Sequence, residues 1–266
     1  MRIKIINENG NSIEIGSALL RSQLMLNEID FGNISETVNT DVIYGADGAL
    51  YTGSSFGTRD INFKFFNMKY NPRAVMTALS PKTSARLEFN NKYYIEGKFI
   101  STPVKTRPAY NTDFLYSVTF RSFDPYFKLV GGKKVVSFEN QKTVFYENGV
   151  YGYQKLTLNN TGDCECPILI KITPNNTSTY RRGLYISAEW NSGQPKYIGW
   201  DFSVAAVQNQ EYYINTDKRD KNGFKDYNAF RNYQIYNIPA GISYLYAFNA
   251  KGSVEFVPRF IDIAEG

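Results

Sequence analysis

The sequence predicts a mainly β protein with two domains, and three observations lead to this fold class. Aromatic residues make up 16% of the 266 residues, and aromatic and β-branched side chains favour strands. Apolar and polar residues alternate along many segments, which is typical of strands with one buried face. Only one segment has the pattern of a helix, and the length suits two domains of about 130 residues each.

The alternation is clearest in four segments, which are Arg59–Asn67, Leu115–Arg121, Pro167–Thr173 and Gly252–Phe260. In the first of these, Ile61, Phe63 and Phe65 would face one side of a strand while the polar residues between them face the other. We therefore expect each segment to be a half-buried strand of an antiparallel sheet.

The single predicted helix lies in the segment NPRAVMTALSP. Asn71 is a favourable N-cap residue, and Pro72 suits the first helical position because its fixed φ matches the helix. The expected apolar face consists of Val75, Met76 and Leu79. Since Pro81 cannot continue a helix, the sequence predicts a helix from Pro72 to about Ser80 that lies over a sheet.

A domain boundary is predicted near Gly131. Asp124-Pro125 ends a strand, and Gly131-Gly132 follows as a conformationally free pair. Beyond this point short strands alternate with turns rich in Asn and Gly, a texture typical of a β-sandwich. The predicted domains are therefore residues 1–130 and 131–266.

The stretch Gly45-Ala46-Asp47-Gly48 could bind a phosphate, hold calcium or turn the chain. A phosphate loop would precede a helix, whereas strand-like residues follow here. A calcium loop needs several carboxylates, and apart from Asp41 there is only Asp47. Asp-Gly is a typical hairpin turn, so we predict a hairpin with arms at about Glu36–Tyr44 and Ala49–Phe56.

Composition argues against several classes of function. The chain has no His, which excludes Ser-His-Asp triads and His-ligated zinc. The two cysteines, Cys164 and Cys166, would point to opposite faces of a strand and are expected to be reduced thiols. Lys and Arg are spread along the chain among the acidic residues, so the net charge of +5 does not indicate specific nucleic-acid binding.

Two further candidate sites favour a structural interpretation. The loop Ile214–Asp226 resembles a calcium loop, but Lys218 occupies the first ligand position and Ala229 the last. The aromatic residues Tyr185, Trp190, Tyr197 and Trp200 could stack on sugar rings, but core packing explains them as well. We therefore expect no metal, no cofactor and no catalytic residues.

The sequence shows no secretory signal and no apolar run long enough for a membrane span, so we expect synthesis in a cytoplasm and no membrane insertion.

The order of motifs resembles the distal tail (Dit) proteins of siphophages. GADGALYTG, RDINFKF, a short helix, YYIEGKFIST and YSVTFRSFDPYF follow the order of the N-terminal half of that family. LTLNNTGDCECPILIKI, YYINTDKRD and IPAGISYLYAFNAKGSVEFVPRFI resemble its second half. One departure is the turn in NIPAGIS, where many members carry Gly-Asn.

The resemblance implies a structural virion protein of the phage tail tip that is not an enzyme. The N-terminal domain, a β-sandwich or split barrel, would form a ring, usually a hexamer, that continues the tail tube. The C-terminal domain would be a galectin-like β-sandwich that supports the receptor-binding protein, and the tail-associated lysin or tip protein would dock below. The chain is similar to the short form of the family, without an inserted carbohydrate-binding module.

The resemblance also gives the hairpin a role in assembly. An isolated hairpin is only marginally stable in water, so it must lie against something. We expect it to pack on the neighbouring protomer or to line the ring. The candidate assembly residues are Gly45, Asp47, Gly48 and Tyr51.

Three alternative functions remain open at the level of sequence. One is a tail-tube or hub protein with a similar first domain, although the large second domain argues against a plain tube subunit. Another is a carbohydrate-binding module that recognises bacterial cell-wall glycan. The third is a glycan hydrolase that uses only carboxylates, which needs just two acidic residues.

Overall fold

The computed structural model describes residues 1–16, 23–34, 36–42, 49–108, 113–139, 154–174, 185–189, 195–202, 207, 209–217, 220–222, 224–226, 237–247 and 250–263. The described elements are almost all strands, so the predicted mainly β fold class is confirmed. The chain divides into two compact units, unit 1 with Met1–Val130 and Ile261–Gly266, and unit 2 with Gly131–Phe260.

The described elements of unit 1 are β1 (Arg2–Asn7), β2 (Ser12–Gly16), β3 (Leu24–Asp30), β4 (Glu36–Val42), β5 (Ala49–Phe56), β6 (Arg59–Asn67), α1 (Pro72–Ala78), β7 (Ser84–Phe89), β8 (Tyr93–Phe99), β9 (Val104–Thr106), β10 (Phe114–Ser122) and β11 (Phe127–Leu129). Seven of them form a closed barrel in the order β8-β7-β1-β2-β3-β6-β10, which the pairing of β8 with β10 closes. The neighbours are antiparallel except β2 and β3, which pair in parallel at Gly16 and Met25.

The barrel interior is filled by the alternate side chains of its strands. Strand β6 has the predicted bounds, and Ile61, Phe63 and Phe65 on it are all fully buried. Phe65 stacks on Tyr116 of β10 with 5.3 Å between the ring centroids. Phe120 of β10 meets Phe99 of β8 at the closure, also at 5.3 Å, so aromatic packing supports the point where the barrel closes.

The helix confirms the predicted start and corrects the predicted face. The side chain of Asn71 accepts a hydrogen bond from the backbone N–H of Arg73 at 3.0 Å, as expected of an N-cap. The helix ends at Ala78, and Val75 and Leu79 are fully buried. Met76 is 40% exposed, contrary to prediction, because residues four apart share a helix face and their immediate neighbour does not.

The described strands of unit 2 are β12 (Lys134–Phe138), β13 (Gln154–Asn160), β14 (Ile168–Pro174), β15 (Tyr185–Glu189), β16 (Pro195–Phe202), β17 (Tyr212–Asn215), β18 (Asp220–Asn222), β19 (Phe224–Asp226), β20 (Gly241–Ala247), β21 (Ala250–Phe256) and β22 (Arg259–Phe260). Two five-stranded sheets have the orders β12-β21-β14-β17-β18 and β13-β20-β15-β16-β19. One core cluster contains Ile170 and Val254 from the first sheet and Leu158 and Leu245 from the second, so the two sheets form a sandwich.

The prediction of one strand over Gly252–Phe260 was wrong in one respect. Strand β21 ends at Phe256, and β22 is a separate short strand. Pro258 lies between them and has no backbone N–H to donate to a sheet, so it interrupts the hydrogen-bonding pattern.

The loop after β13 is fixed by the side chain of Asn160, which is 1% exposed. Its amide nitrogen donates to the carbonyl oxygens of Cys164, Ile238 and Pro239 at 2.8 to 3.2 Å. Its carbonyl oxygen accepts from the backbone N–H of Gly162 at 3.1 Å. One buried side chain therefore joins the loop to the segment before β20.

Both cysteines are free thiols and lie in this loop rather than within a strand. Burial raises the pKa of the Cys166 thiol to about 12. Burial, together with the neighbouring Asp163 carboxylate, also raises the pKa of the Cys164 thiol. Because the thiolate is the reactive form, these cysteines have the character of structural residues.

Candidate assembly surface

The predicted hairpin is formed by β4 and β5, which make a separate two-stranded sheet. The strands are antiparallel, from the pair Glu36 and Phe56 to the pair Val42 and Ala49. The register shifts beside Asn39 and Thr40, so Thr52 is an extra residue on β5. Such a bulge bends a strand and increases its twist.

The candidate residues of this hairpin are only partly within the described residues. Tyr51 lies in β5, where its backbone pairs with Thr40. Gly45, Asp47 and Gly48 lie outside the described residues, as does Tyr44 at the end of the predicted first arm. The structure therefore places the two strands and not the turn between them.

The chain leaves the barrel for the hairpin through a tight contact at Gly32. Its φ is +61°, and a Cβ atom at this position would lie 2.0 Å from the carbonyl oxygen of Asp60. The Asp30 carboxylate accepts a hydrogen bond from the backbone N–H of Gly32 at 2.9 Å, which is an Asx turn. The segment entering the hairpin is thus packed directly on the start of β6, where the chain returns.

An ion pair fixes the same part of β6 to β10. Arg121 donates to both carboxylate oxygens of Asp60, from Nε at 2.7 Å and from Nη2 at 2.6 Å. This hydrogen bonding by Arg121 lowers the pKa of Asp60 and raises the pKa of Arg121 itself. The fork geometry orients the pair, although its partial exposure limits the contribution to stability.

Beneath the entry to the hairpin lies an aromatic cluster. The ring of Phe31 meets Phe89 and Phe127 edge to face, with centroids 5.3 and 5.8 Å away. The buried guanidinium of Arg59 lies over the Phe127 ring, 4.6 Å from its centroid. Its Nη2 also donates to the carbonyl oxygen of Ile261 at 2.6 Å, which ties the C-terminal residues of unit 1 to the start of β6.

These contacts border an open groove of about 720 Å³ at the base of the hairpin. Its walls come from residues 29–34, from Arg59 with Tyr126, and from Ile261 with Asp262. Sequence reasoning missed this groove because its lining comes from four segments that are far apart along the chain. No periodicity or motif in the sequence signals that they meet.

The described residues contain no group of three or more His, Cys, Asp or Glu side chains that could hold a metal ion. Nor do they include a helix with the length and apolar character needed to cross a membrane. The side chains of Tyr185, Trp190, Tyr197 and Trp200 lie outside the described residues.

Comparison with known proteins gives a match by structure alone. No family model matches the sequence, and no curated protein matches it. The crystal structure of the Dit protein (gp 19.1) of phage SPP1 matches with a TM-score of 0.63 and 12% identity, over 97% of this chain and 99% of that chain. It is described as a paradigm of the hub adsorption apparatus in phages that infect Gram-positive bacteria.

Two structures of the phage P2 baseplate in its activated conformation, with calcium and with strontium, also match over 97% of both chains. They have TM-scores of 0.43 and identities of 12% and 14%. The similarity to the SPP1 protein extends over both units of the present chain. The chain therefore has the fold of a siphophage distal tail protein, as the resemblance of its motifs implied.

Proposed function

We propose that this protein is a structural hub of a long-tailed phage, located in the virion at the tail tip. The observation that carries the proposal is the fold, which matches that of a hub adsorption protein over 97% of the chain. In this role it joins the tail tube protein to the tail-associated lysin or tip protein and to the receptor-binding protein. A scaffold of this kind needs surfaces and no catalytic residues.

The proposed assembly is a ring of six copies, built mainly by residues 1–130. A ring generated by rotation requires two different complementary surfaces on each copy. The β4–β5 hairpin suits one of them, because it forms a sheet of its own and a lone hairpin is marginally stable in water. We propose that it packs on the neighbouring copy, with its turn residues Gly45, Asp47 and Gly48 and with Tyr51 in the contact.

We also propose a role for unit 2. Its two five-stranded sheets share one apolar core, which is the architecture expected of a galectin-like sandwich. We propose that Gly131–Phe260 form this second domain, without the last six residues of the predicted range 131–266, and that it supports the receptor-binding apparatus. The hydrogen bonds of Asn160 fix the loop after β13 and so suit this unit to a supporting role.

Gly48→Ala tests the role of the hairpin. If the turn needs positive φ at Gly48, alanine strains it by about 1 kcal/mol and changes the arm that contacts the neighbour. The fraction of chains in rings, measured by sedimentation velocity, should fall strongly while the melting temperature changes little.

Gly10→Ala is the matched control for Gly48→Ala. Gly10 has a φ of +78°, and a Cβ atom at this position would meet nothing within 4 Å. The variant therefore introduces the same kind of backbone strain at a turn that is not part of the hairpin. It should assemble normally. Equal assembly of the two variants would show that the hairpin has no role in the ring.

A further inference from the structure

We propose that the groove at the base of the hairpin receives the β9 edge of a second copy of this chain. This contact would be the other half of the interface begun by the hairpin, and it rests on the proposed ring. Four observations lead to it: an open edge strand, its basic charge, the acidic rim of the groove, and the distance between the two features within one copy.

Strand β9 is an exposed edge. It pairs with β10 from Leu115 to Ser117, and its other side pairs with no strand among the described residues. All three of its residues are exposed, and Val104 is 58% exposed. An edge of this kind presents free backbone N–H and C=O groups and is a common site for contact with another chain.

The edge carries positive charge over an exposed aromatic ring. The ammonium nitrogen of Lys105 lies 3.7 Å from the centroid of the Phe114 ring, and the guanidinium of Arg107 lies 6.0 Å from it. Phe114 itself is 37% exposed. We call Val104, Lys105, Arg107 and Phe114 the basic edge. Aromatic and Arg side chains of this kind are enriched in the centres of protein interfaces.

The groove is complementary to the basic edge in chemistry. Asp30 and Asp262 contribute exposed carboxylates to its lining, and Phe31, Ile34 and Ile261 contribute apolar surface. Among the described residues of the lining, the cation is Arg59, whose guanidinium is buried against Phe127 and the Ile261 carbonyl. The charges that these described lining residues present to solvent are therefore negative.

The two features cannot meet within one copy. The groove includes Arg59 at the first residue of β6, whereas β9 joins the barrel beside the β10 residues that pair with Lys64 to Phe66. Arg59 therefore lies five to seven residues along the strand from β9, or about 20 Å, while Asp30, which pairs with Asn62, is separated from β9 by the strands β6 and β10, or about 14 Å across the sheet. A basic edge at one end and an acidic groove at the other give the head-to-tail contact that a rotational ring requires.

Carbodiimide cross-linking of the full chain tests this contact, because the reagent joins a carboxylate to a lysine amine only when they touch. Equal amounts of ¹⁴N- and ¹⁵N-labelled protein are mixed, cross-linked and digested. We expect peptides of mixed isotope composition that join Lys105 to Asp262 or Asp30. Lys105→Arg retains the charge and should assemble normally, yet it should lose these cross-links.

Charge reversal provides the second measurement. Lys105→Glu and Asp262→Lys should each weaken association about tenfold, because like charges then face each other. The double variant should regain much of the loss, since the charges are again opposite. This contact would be overturned by rings whose cross-links join other residues, or by a double variant that associates no more tightly than the single variants. Either result would leave the hub proposal standing. A chain that is monomeric and uncross-linked throughout would contradict both.

Discussion

Asn160→Asp is expected to destabilise unit 2 by about 4 kcal/mol at neutral pH. The amide nitrogen of Asn160 faces the carbonyl oxygens of Cys164, Ile238 and Pro239, and the residue is 1% exposed. Aspartate would place a buried negative oxygen against these acceptors and leave them without a donor. This loss is a large part of the free energy of unfolding of a typical domain, which is about 5 to 15 kcal/mol.

The pH dependence of this variant follows from the same geometry. Burial among acceptors favours the protonated acid, so the pKa of the new Asp should be raised above its unfolded value of about 3.9. The loss of unfolding free energy relative to wild type should therefore be smallest below about pH 3.9 and should grow as the pH rises through the raised pKa.

Denaturant titration followed by tryptophan fluorescence measures this effect, because both tryptophans, Trp190 and Trp200, belong to unit 2. Asn159→Asp is the matched control. It introduces the same charge one residue earlier, at an exposed position, and should cost about 0.5 kcal/mol or less. Similar losses for the two variants would show that the Asn160 hydrogen bonds do not fix the loop.

Gly32→Ala should have the second largest effect, a loss of about 3 kcal/mol in unit 1. Alanine there combines a left-handed backbone, with φ of +61°, and a Cβ placed 2.0 Å from the Asp60 carbonyl oxygen. Since that oxygen belongs to the backbone at the start of β6, the clash can be relieved only if the segment that leads into the hairpin moves. We therefore expect weaker ring formation together with lower stability.

Calorimetry and hydrogen exchange report the stability of unit 1, which contains no tryptophan. Gly10→Ala separates backbone strain from the steric clash, because Gly10 has a positive φ but a Cβ atom there would meet nothing within 4 Å. This variant should lower the free energy of unfolding by only about 1 kcal/mol. If Gly32→Ala proves no more destabilising than Gly10→Ala, the contact with Asp60 does not constrain the hairpin.

The features predicted correctly from sequence are those with a local physical cause. Alternation of apolar side chains located β6 at its observed bounds, and the Asn71-Pro72 pair located the start of the helix. Asp47-Gly48 predicted a hairpin, and the antiparallel strands β4 and β5 flank that position. In each case a few neighbouring residues determine the backbone conformation.

The features that sequence reasoning missed depend on contacts between distant segments. Closure of the barrel requires Phe99 to meet Phe120, and the parallel contact of β2 with β3 is a single pair. Gly32 shows no signal in the sequence because its constraint is the carbonyl oxygen of Asp60. Asn160 belonged to a recognised motif, but its three carbonyl partners come from two loops.

Native mass spectrometry of the full chain distinguishes a ring of six copies from a monomer. We expect a dominant species of six times the 30.4 kDa chain mass, which Lys105→Glu shifts towards smaller species. A chain that remains monomeric over the whole accessible concentration range would show that it does not form the proposed ring.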